Sequence, residues 1–507
     1  MVQQKVVYLE NPQKKMQIPF FGASPYYVTV ASQMGRLRII AVFLIYFLVR
    51  IRHVVADASV PFKERRFKQE GLTLSFQWFL VVSFCKKQFG ITRVVMRVPQ
   101  VGSLRLYACN IETDNGFISS DGAHVDINSY SRGVDMSYDG AMTRAFGELL
   151  ERIPFYYYKE SNLLKYSLGE LGASNKKYVG TLIDSNVIMR ALGHEEMIDN
   201  HTYLNWVKGQ DLDGWDCLLP AAAIFGNYDF TKGQLSLLEC EISTHGTGSH
   251  VSPEEALNHG LCEWVERDGF FHHWIFGLPG TPLNIQSLSL ENEAFNRVLR
   301  VLTENGFEAR VAEVTSKEVT IPTFTASVYS SDKTKQCLGA GCDADWRKAA
   351  YSAIIEAAGG ILWLDEFYQP CEKYRSMPVE RYDTKQRLSY FSSSKGIDEL
   401  NFIFEGNARD SSYFDTKFDE ANKACADPVS SFEYVRTKFK NNHSLKTGYV
   451  LLQKGPFERI KAYSCKVYCD GLITPYQYLG YRTPARIEER AEKYGLKIVN
   501  KDVHPFI

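Results

Sequence analysis

At 507 residues the chain can form roughly two to four domain-sized units or one large composite domain. Its 45% hydrophobic and 23% charged content is that of a globular protein, and a net charge of −1 argues against nucleic acid or an anionic membrane as partner. Eleven cysteines scattered from Cys85 to Cys469 make no disulfide framework, and the closest pairs, Cys337/Cys342 and Cys465/Cys469, lack zinc-knuckle spacing.

Residues 1–105 are apolar-rich with basic interruptions and carry no catalytic pattern. Within them Ile39–Val49 is an unbroken apolar run flanked by arginines. It falls well short of the ~20 residues needed to cross a bilayer, and it has neither the position nor the cleavage pattern of a signal peptide. A buried strand or helix is expected there, packed on Leu72–Phe84. Residues 106–135 turn polar and Gly/Ser/Asp-rich and read as loops. A helix is expected from Ser137 to Lys159, with Ala141, Ala145, Leu149 and Ile153 at helical spacing. Tyr178–Ile188 and Asp216–Phe225 read as strands, the second with Pro220 inside it.

Ser252-Pro253-Glu254-Glu255 supplies an N-cap serine, a first-turn proline and acids for the helix dipole, so a helix should run to about Trp274. A helix over 291–304 should stop at Asn305-Gly306. Phe307–Val314 and Ile321–Tyr329 read as strands. Gly339-Ala340-Gly341 reads as a turn before a third helix, Asp345 to about Leu364. Residues 380–507 are more polar, with a strand pair at Ile460–Cys469 and Tyr476–Tyr481, a helix near 484–495 and the tail Val503–Ile507. The chain therefore reads as α+β with internally duplicated strand/helix units. It divides into an N-terminal region, 1–105, a core, 106–380, and a C-terminal part, 381–507.

The duplicated element carries the chemistry. Glu148-Leu149-Leu150-Glu151-Arg152 and Glu263-Trp264-Val265-Glu266-Arg267 each place two carboxylates and a guanidinium on one helix face and lead into aromatics. One such face is ordinarily a solvated stripe. Here the unit recurs in apolar surroundings, where carboxylates need partners, and the third helix adds an isolated acid, Glu356. Five carboxylates and two arginines in an apolar setting suit magnesium and polyphosphate, because magnesium takes oxygen ligands and arginine forks bind phosphate. No Walker loop, kinase glycine loop or Gly-x-Ser-x-Gly elbow is present. His259, His272 and His273, and the stripes Phe155–Tyr158 and Phe270, Phe271, Trp274, read as packing or surface groups.

Ser243-Thr244-His245-Gly246, continuing through Glu255-Ala256 to Glu263-x-x-Glu266-Arg267, resembles the central signature of the YcaO superfamily. Ser131-Arg132-Gly133 with Glu148-x-x-Glu151-Arg152 resembles its first signature, and Gly339-x-Gly341, Ala349 and Glu356 its third. The resemblance covers about 115–370, and 450–507 more loosely, and implies a YcaO-like composite fold around an ATP site. It implies ATP and Mg2+ as cofactors, with Glu148, Glu151, Glu263, Glu266 and Glu356 on metal and nucleotide. Arg132, Arg152, Ser243, His245 and Arg267 complete that site.

In such enzymes a nucleophile attacks a peptide amide, and ATP phosphorylates the oxygen, which leaves as phosphate. A Cys, Ser or Thr nucleophile gives thiazoline or oxazoline, as in the biosynthesis of ribosomally made peptide natural products such as bacteriocins. Thioamide formation, an accessory role in ribosomal-protein methylthiolation and a non-catalytic scaffold are the alternatives. A precursor peptide and a separate ThiF-like leader-binding protein are the implied partners, in the cytoplasm, and a homodimer is compatible with the family. Three positions depart from the family pattern: Arg144 replaces a serine, His245 an asparagine and Ser352 an arginine. The usual proline-rich catalytic tail is reduced to His504-Pro505-Phe506-Ile507, leaving His504 and Pro505 as its candidate residues.

Overall fold

The computed structural model describes residues 91–113, 130–155, 160–174, 199–226, 244–367, 389–425, 427–452, 462–473 and 485–500, with a few short stretches between them. Ile39–Val49, Tyr476–Tyr481, most of Leu72–Phe84 and most of Tyr178–Ile188 lie outside these residues, as do Ser243, His504 and Pro505.

Strands β1 (Ile91–Arg97), β2 (Tyr107–Thr113) and β3 (Tyr130–Asp135) form an antiparallel sheet edged by Val6–Tyr8. β1 precedes the division expected at residue 105 and pairs with β2 beyond it. Helix α1 (Tyr138–Phe155) follows at once and buries Ala141, Ala145, Leu149 and Ile153 on the sheet. It ends at Phe155, short of Lys159, with Pro154 accommodated in its last turn.

Next come β4 (Leu164–Ser167), β5 (Tyr203–Asp211) and β6 (Asp216–Pro220). The strand expected over Asp216–Phe225 ends at Pro220, which cannot donate to a ladder, and Ala221–Ile224 turn helical. β7 (Thr247–His250) leads into α2 (Pro253–Phe276), capped by the Ser252 hydroxyl and closed by Gly277 at φ 62°. The helix expected over 291–304 is two: Asn292 ends Ile285–Glu291 and caps α3 (Glu293–Glu304) with its side chain.

β8 (Phe307–Glu313), β9 (Thr323–Ser330) and β10 (Gln336–Cys342) make a second antiparallel sheet, followed by α4 (Trp346–Phe367). Gly339-Ala340-Gly341 therefore lies inside a strand and is not a turn. Beyond it, after short helices at Ser394–Leu400, Ser411–Lys417 and Asp419–Ala424, come α5 (Pro428–Asn441), β11 (Lys446–Leu451), β12 (Tyr463–Asp470) and α6 (Ala485–Tyr494). The third sheet runs β4-β5-β11-β12-β7, with β6 also on β5, so strands from 164–250 and 446–470 share it. The second aromatic stripe is core, as expected, with Phe270 and Phe271 fully buried and Trp274 nearly so; of the first, Phe155 is buried and Tyr158 half-buried, and Tyr156 and Tyr157 lie outside the described residues.

Candidate active site

Three strand–helix pairs, β3–α1, β7–α2 and β10–α4, share one build. In each, a strand glycine lets the helix backbone approach so closely that a Cβ would collide with it. The imagined Cβ of Gly133 lies 2.1 Å from the Ala141 carbonyl oxygen, that of Gly248 2.2 Å from Ala256, and that of Gly341 2.2 Å from Ala349. The carbonyl it meets lies eight residues on in all three, and Glu148, Glu263 and Glu356 stand fifteen residues after their glycines. Each helix also packs on the strand of the next pair: α1 on β7, α2 on β10, and α4 on β3. The expected duplication is thus joined by a third unit, and the three close into a ring.

The ring points its acids inward. Glu148 accepts the Arg132 amide at 2.5 Å, Glu263 the Gly246 amide at 2.7 Å, and Glu356 the Ala340 amide at 2.6 Å. Glu148 and Glu356 are thereby pinned to their own strands, and Glu263 to the turn that leads into β7, by charge-assisted bonds. Arg152 pairs with Glu148 at 2.5 Å. Arg267 spans the second and third units, 3.4 Å from Glu266, 3.8 Å from Glu263 and 4.0 Å from Glu356. Thr247 on β7 donates to Glu151 on α1 at 2.5 Å.

These acids are enclosed by protein yet reached by water; the Glu356 side chain keeps 46% of its surface. Enclosure disfavours their charged forms. Burial, then repulsion from Glu263, pushes Glu151 up to about 8. Burial likewise pushes Glu266 up to about 8, against Arg267 and with Glu356. Glu263 and Glu356 are raised by burial too, with Arg267 opposing in both. Burial works against the charge on Arg267, but Glu266, Glu356 and Glu263 outweigh it and hold the guanidinium charged.

The structure thus brings together Glu148, Glu151, Arg152, Glu263, Glu266, Arg267 and Glu356. Arg132 contributes its amide, and its charge is felt at Cys337 in the third unit. His245 is buried beside the Trp264 ring, 4.3 Å between centroids, and burial keeps it neutral. Sequence reasoning missed Thr247 and Lys466. Lys466 had one signal, a lone cation in the apolar text of β12. The outlying histidines pack as expected: His272 is buried against Phe276, and His273 contacts the Leu278 carbonyl.

The expected five-carboxylate metal set is not a preformed cage. Among the described residues no three His, Cys, Asp or Glu side chains are placed to hold a metal ion, because three of the glutamates are spent on amides and arginines. The donors still fit Mg2+ with a nucleotide. Magnesium is held by one or two carboxylates plus phosphate oxygens and water, not by an all-protein cage. Crowded, half-neutralised carboxylates beside arginines suit a ligand that brings both a dication and a polyanion.

An enclosed ring of acids and arginines with no P-loop marks a noncanonical nucleotide site, and the sequence family agrees. Residues 132–473 match the family model described as YcaO cyclodehydratase, ATP- and Mg2+-binding. This chain belongs to the YcaO family. Two curated relatives match over shorter stretches. An uncharacterized protein of the tfuA 3′ region of Rhizobium leguminosarum bv. trifolii is 30% identical over 23% of this chain and 30% of its own. An uncharacterized protein of Methanothermobacter thermautotrophicus is 25% identical over 32% of this chain and 42% of its own. The match thus spans less than half the length of either.

Among solved structures, a heterocyclase in complex with substrate and cofactor superposes with a TM-score of 0.61 at 15% identity, over 89% of this chain and 59% of that one. YcaO from Methanopyrus kandleri bound with AMPPCP and Mg2+ gives 0.52 at 16% identity, over 85% and 94%. The E. coli microcin synthetase McbBCD complex gives 0.50 at 13% identity, over 74% and 86%. At these identities the likeness is one of fold.

Proposed function

We propose that this chain is an ATP- and Mg2+-dependent enzyme that activates backbone amides of a peptide, cyclodehydrating Cys, Ser or Thr to thiazoline or oxazoline. The observation that carries the reading is the ring itself: five enclosed glutamates and two arginines from three strand–helix units. When bound, ATP with Mg2+ supplies the phosphoryl group that makes an amide oxygen a leaving group, a transfer that needs positioning and charge neutralisation more than covalent help.

The chain's own residues would do that positioning. Glu151 and Glu266 hold no backbone amide, Glu151 accepting from Thr247 and Glu266 facing Arg267, whereas Glu148, Glu263 and Glu356 each commit one oxygen to an amide. Arg152 and Arg267, now paired with glutamates, would turn to phosphate. The heterocyclase solved with substrate and the microcin synthetase solved as a complex support a substrate and partner proteins, and in our reading these are a precursor peptide and a separate ThiF-like leader-binding protein. We place the reaction in the cytoplasm, where ATP is supplied; no described helix is long and apolar enough to cross a membrane.

The test is ATP turnover with a Cys/Ser/Thr-rich precursor peptide and its leader-binding partner, comparing the parent protein with Glu263→Gln. The peptide should lose the mass of one water per ring, and the variant should turn over at least about a hundredfold more slowly. A sulfur-for-oxygen mass change would instead establish thioamide formation. Turnover untouched by the substitution would overturn the site, and nucleotide binding without turnover would favour a scaffold.

A further inference from the structure

Strand β12 begins nearly two hundred residues after the second glutamate helix ends, yet it grips the turn that serves Glu263. Lys466, 2% exposed, donates from its ammonium to the His245 carbonyl. The Val467 amide donates to the Gly246 carbonyl at 2.7 Å, and the Val467 carbonyl accepts the Trp264 indole at 2.9 Å. Gly246, held at φ 77°, has no room for a side chain: a Cβ there would lie 2.3 Å from the Trp264 indole nitrogen. The same residue's amide is the donor to Glu263. His245 is stacked edge-on against Trp264, so the turn is held from its carbonyls by β12 and from its side by α2.

A buried ammonium is an expensive way to hold one carbonyl, and burying it would be unfavourable without anions to face. Burial works against that charge, the fields of Glu263 and Glu151 act in its favour, and the ammonium nitrogen lies 5.0 Å from the centroid of the Phe155 ring. We propose that Lys466 is a positioning residue of the glutamate ring. By holding the His245 carbonyl it aims the Gly246 amide at Glu263. The inference rests on the nucleotide-site reading above for its functional consequence. Its structural half stands on the contacts alone.

The experiment compares full-length parent, Lys466→Met and Lys466→Arg. Methionine fills a similar volume without charge, and arginine keeps the charge in a larger side chain. Hydrogen exchange of the 244–247 segment, followed by mass spectrometry, reads the turn; calorimetric titration with AMPPCP and Mg2+ reads the ring. Lys466→Met should speed exchange in that segment about tenfold and weaken AMPPCP binding about tenfold, while exchange in α3 and β9 is unchanged. Lys466→Arg should recover most of both. A merely structural, space-filling role predicts the reverse order, with methionine tolerated and arginine damaging, and that result would overturn the proposal. So would exchange and affinity within twofold of the parent in a folded Lys466→Met. If methionine leaves the protein unfolded, Lys466→Arg alone decides: parent-like exchange and affinity uphold the proposal, and loss of both in a folded variant overturns it. If the parent itself binds no AMPPCP, the nucleotide reading fails, and the exchange comparison still decides the role of Lys466.

Discussion

At the scale of single residues, Glu151 and Glu266 are where function and stability pull apart. A glutamate carboxyl, ordinarily near 4.5, is pushed up to about 8 at both positions, by burial first. Between those two values the unfolded chain has released protons that the folded chain still holds. Each group therefore contributes less stability as pH rises through the window from about 4.5 to about 8, the opposite of a salt-bridged acid. Removing the charge should help the ligand-free protein. Glu266, with 14% of its side chain in water, is the cleaner test. Glu266→Gln should stabilise the free protein at pH 8 by ~1–2 kcal/mol and change little at pH 4.5. It should also lose most of the stabilisation that AMPPCP with Mg2+ gives the parent. Thermal unfolding at the two pH values, with and without the ligand, checks both. A less stable variant at pH 8 would mean that pairing with Arg267 outweighs burial.

At the scale of elements, the ring depends on backbone-to-backbone approach at three glycines. Substituting any of them with alanine pushes a methyl into a carbonyl of the partner helix, a neighbour that cannot rotate away. Gly133→Ala, Gly248→Ala and Gly341→Ala should each cost ~2–4 kcal/mol and separate the helix from its strand. Gly172→Ala makes a suitable control, because nothing lies within 4 Å of its imagined Cβ and the position is helical. That change should be neutral or stabilise by up to ~1 kcal/mol. Urea unfolding midpoints of the four variants test the contrast, and equal effects would remove close approach as the reason for glycine. The third unit is the most degenerate of the three. Gly359 and Gly360 stand where the other helices carry their second glutamate and arginine, and their absent side chains make room for Val134 and Cys337.

At the scale of the whole molecule, the site is buttressed by the distant C-terminal part. Asp268, next to Arg267, is fully buried and accepts from Ser316, from the Ile473 amide at 2.7 Å and from Arg490 of α6 at 2.5 Å. Arg490 also faces Glu318 at 3.7 Å. One carboxylate thus joins α2, the loop between β8 and β9, the end of β12 and α6. Taking away the arginine strands a buried charge, which typically costs ~3–5 kcal/mol. Arg490→Met should lower the urea midpoint accordingly and open α2 to proteolysis near Asp268. A loss below ~1 kcal/mol would show that the Ile473 amide and Ser316 suffice to satisfy the carboxylate.

What the sequence by itself determined was local. Glu148 with Glu151 and Arg152, and Glu263 with Glu266 and Arg267, share helix faces because spacings of three and four repeat within one turn. The cap at Ser252-Pro253 was equally legible, since it is a bond between residues three apart. The isolated acid Glu356 and the need to neutralise five carboxylates and two arginines extended that reading to magnesium with polyphosphate, and family resemblance to ATP. The tertiary structure decided the rest. Gly339 and Gly341 read as a turn because glycine is ambiguous without its neighbours, and only the closeness of α4 shows why a strand needs them. Thr247 and Lys466 were hidden because their partners lie 96 and 221 residues away in sequence. The pairing of β7 with β12, which sets that clamp, follows no local period. Nor could spacing alone show a third unit, because packing against Val134 and Cys337 had taken the two positions where its second acid and arginine would stand.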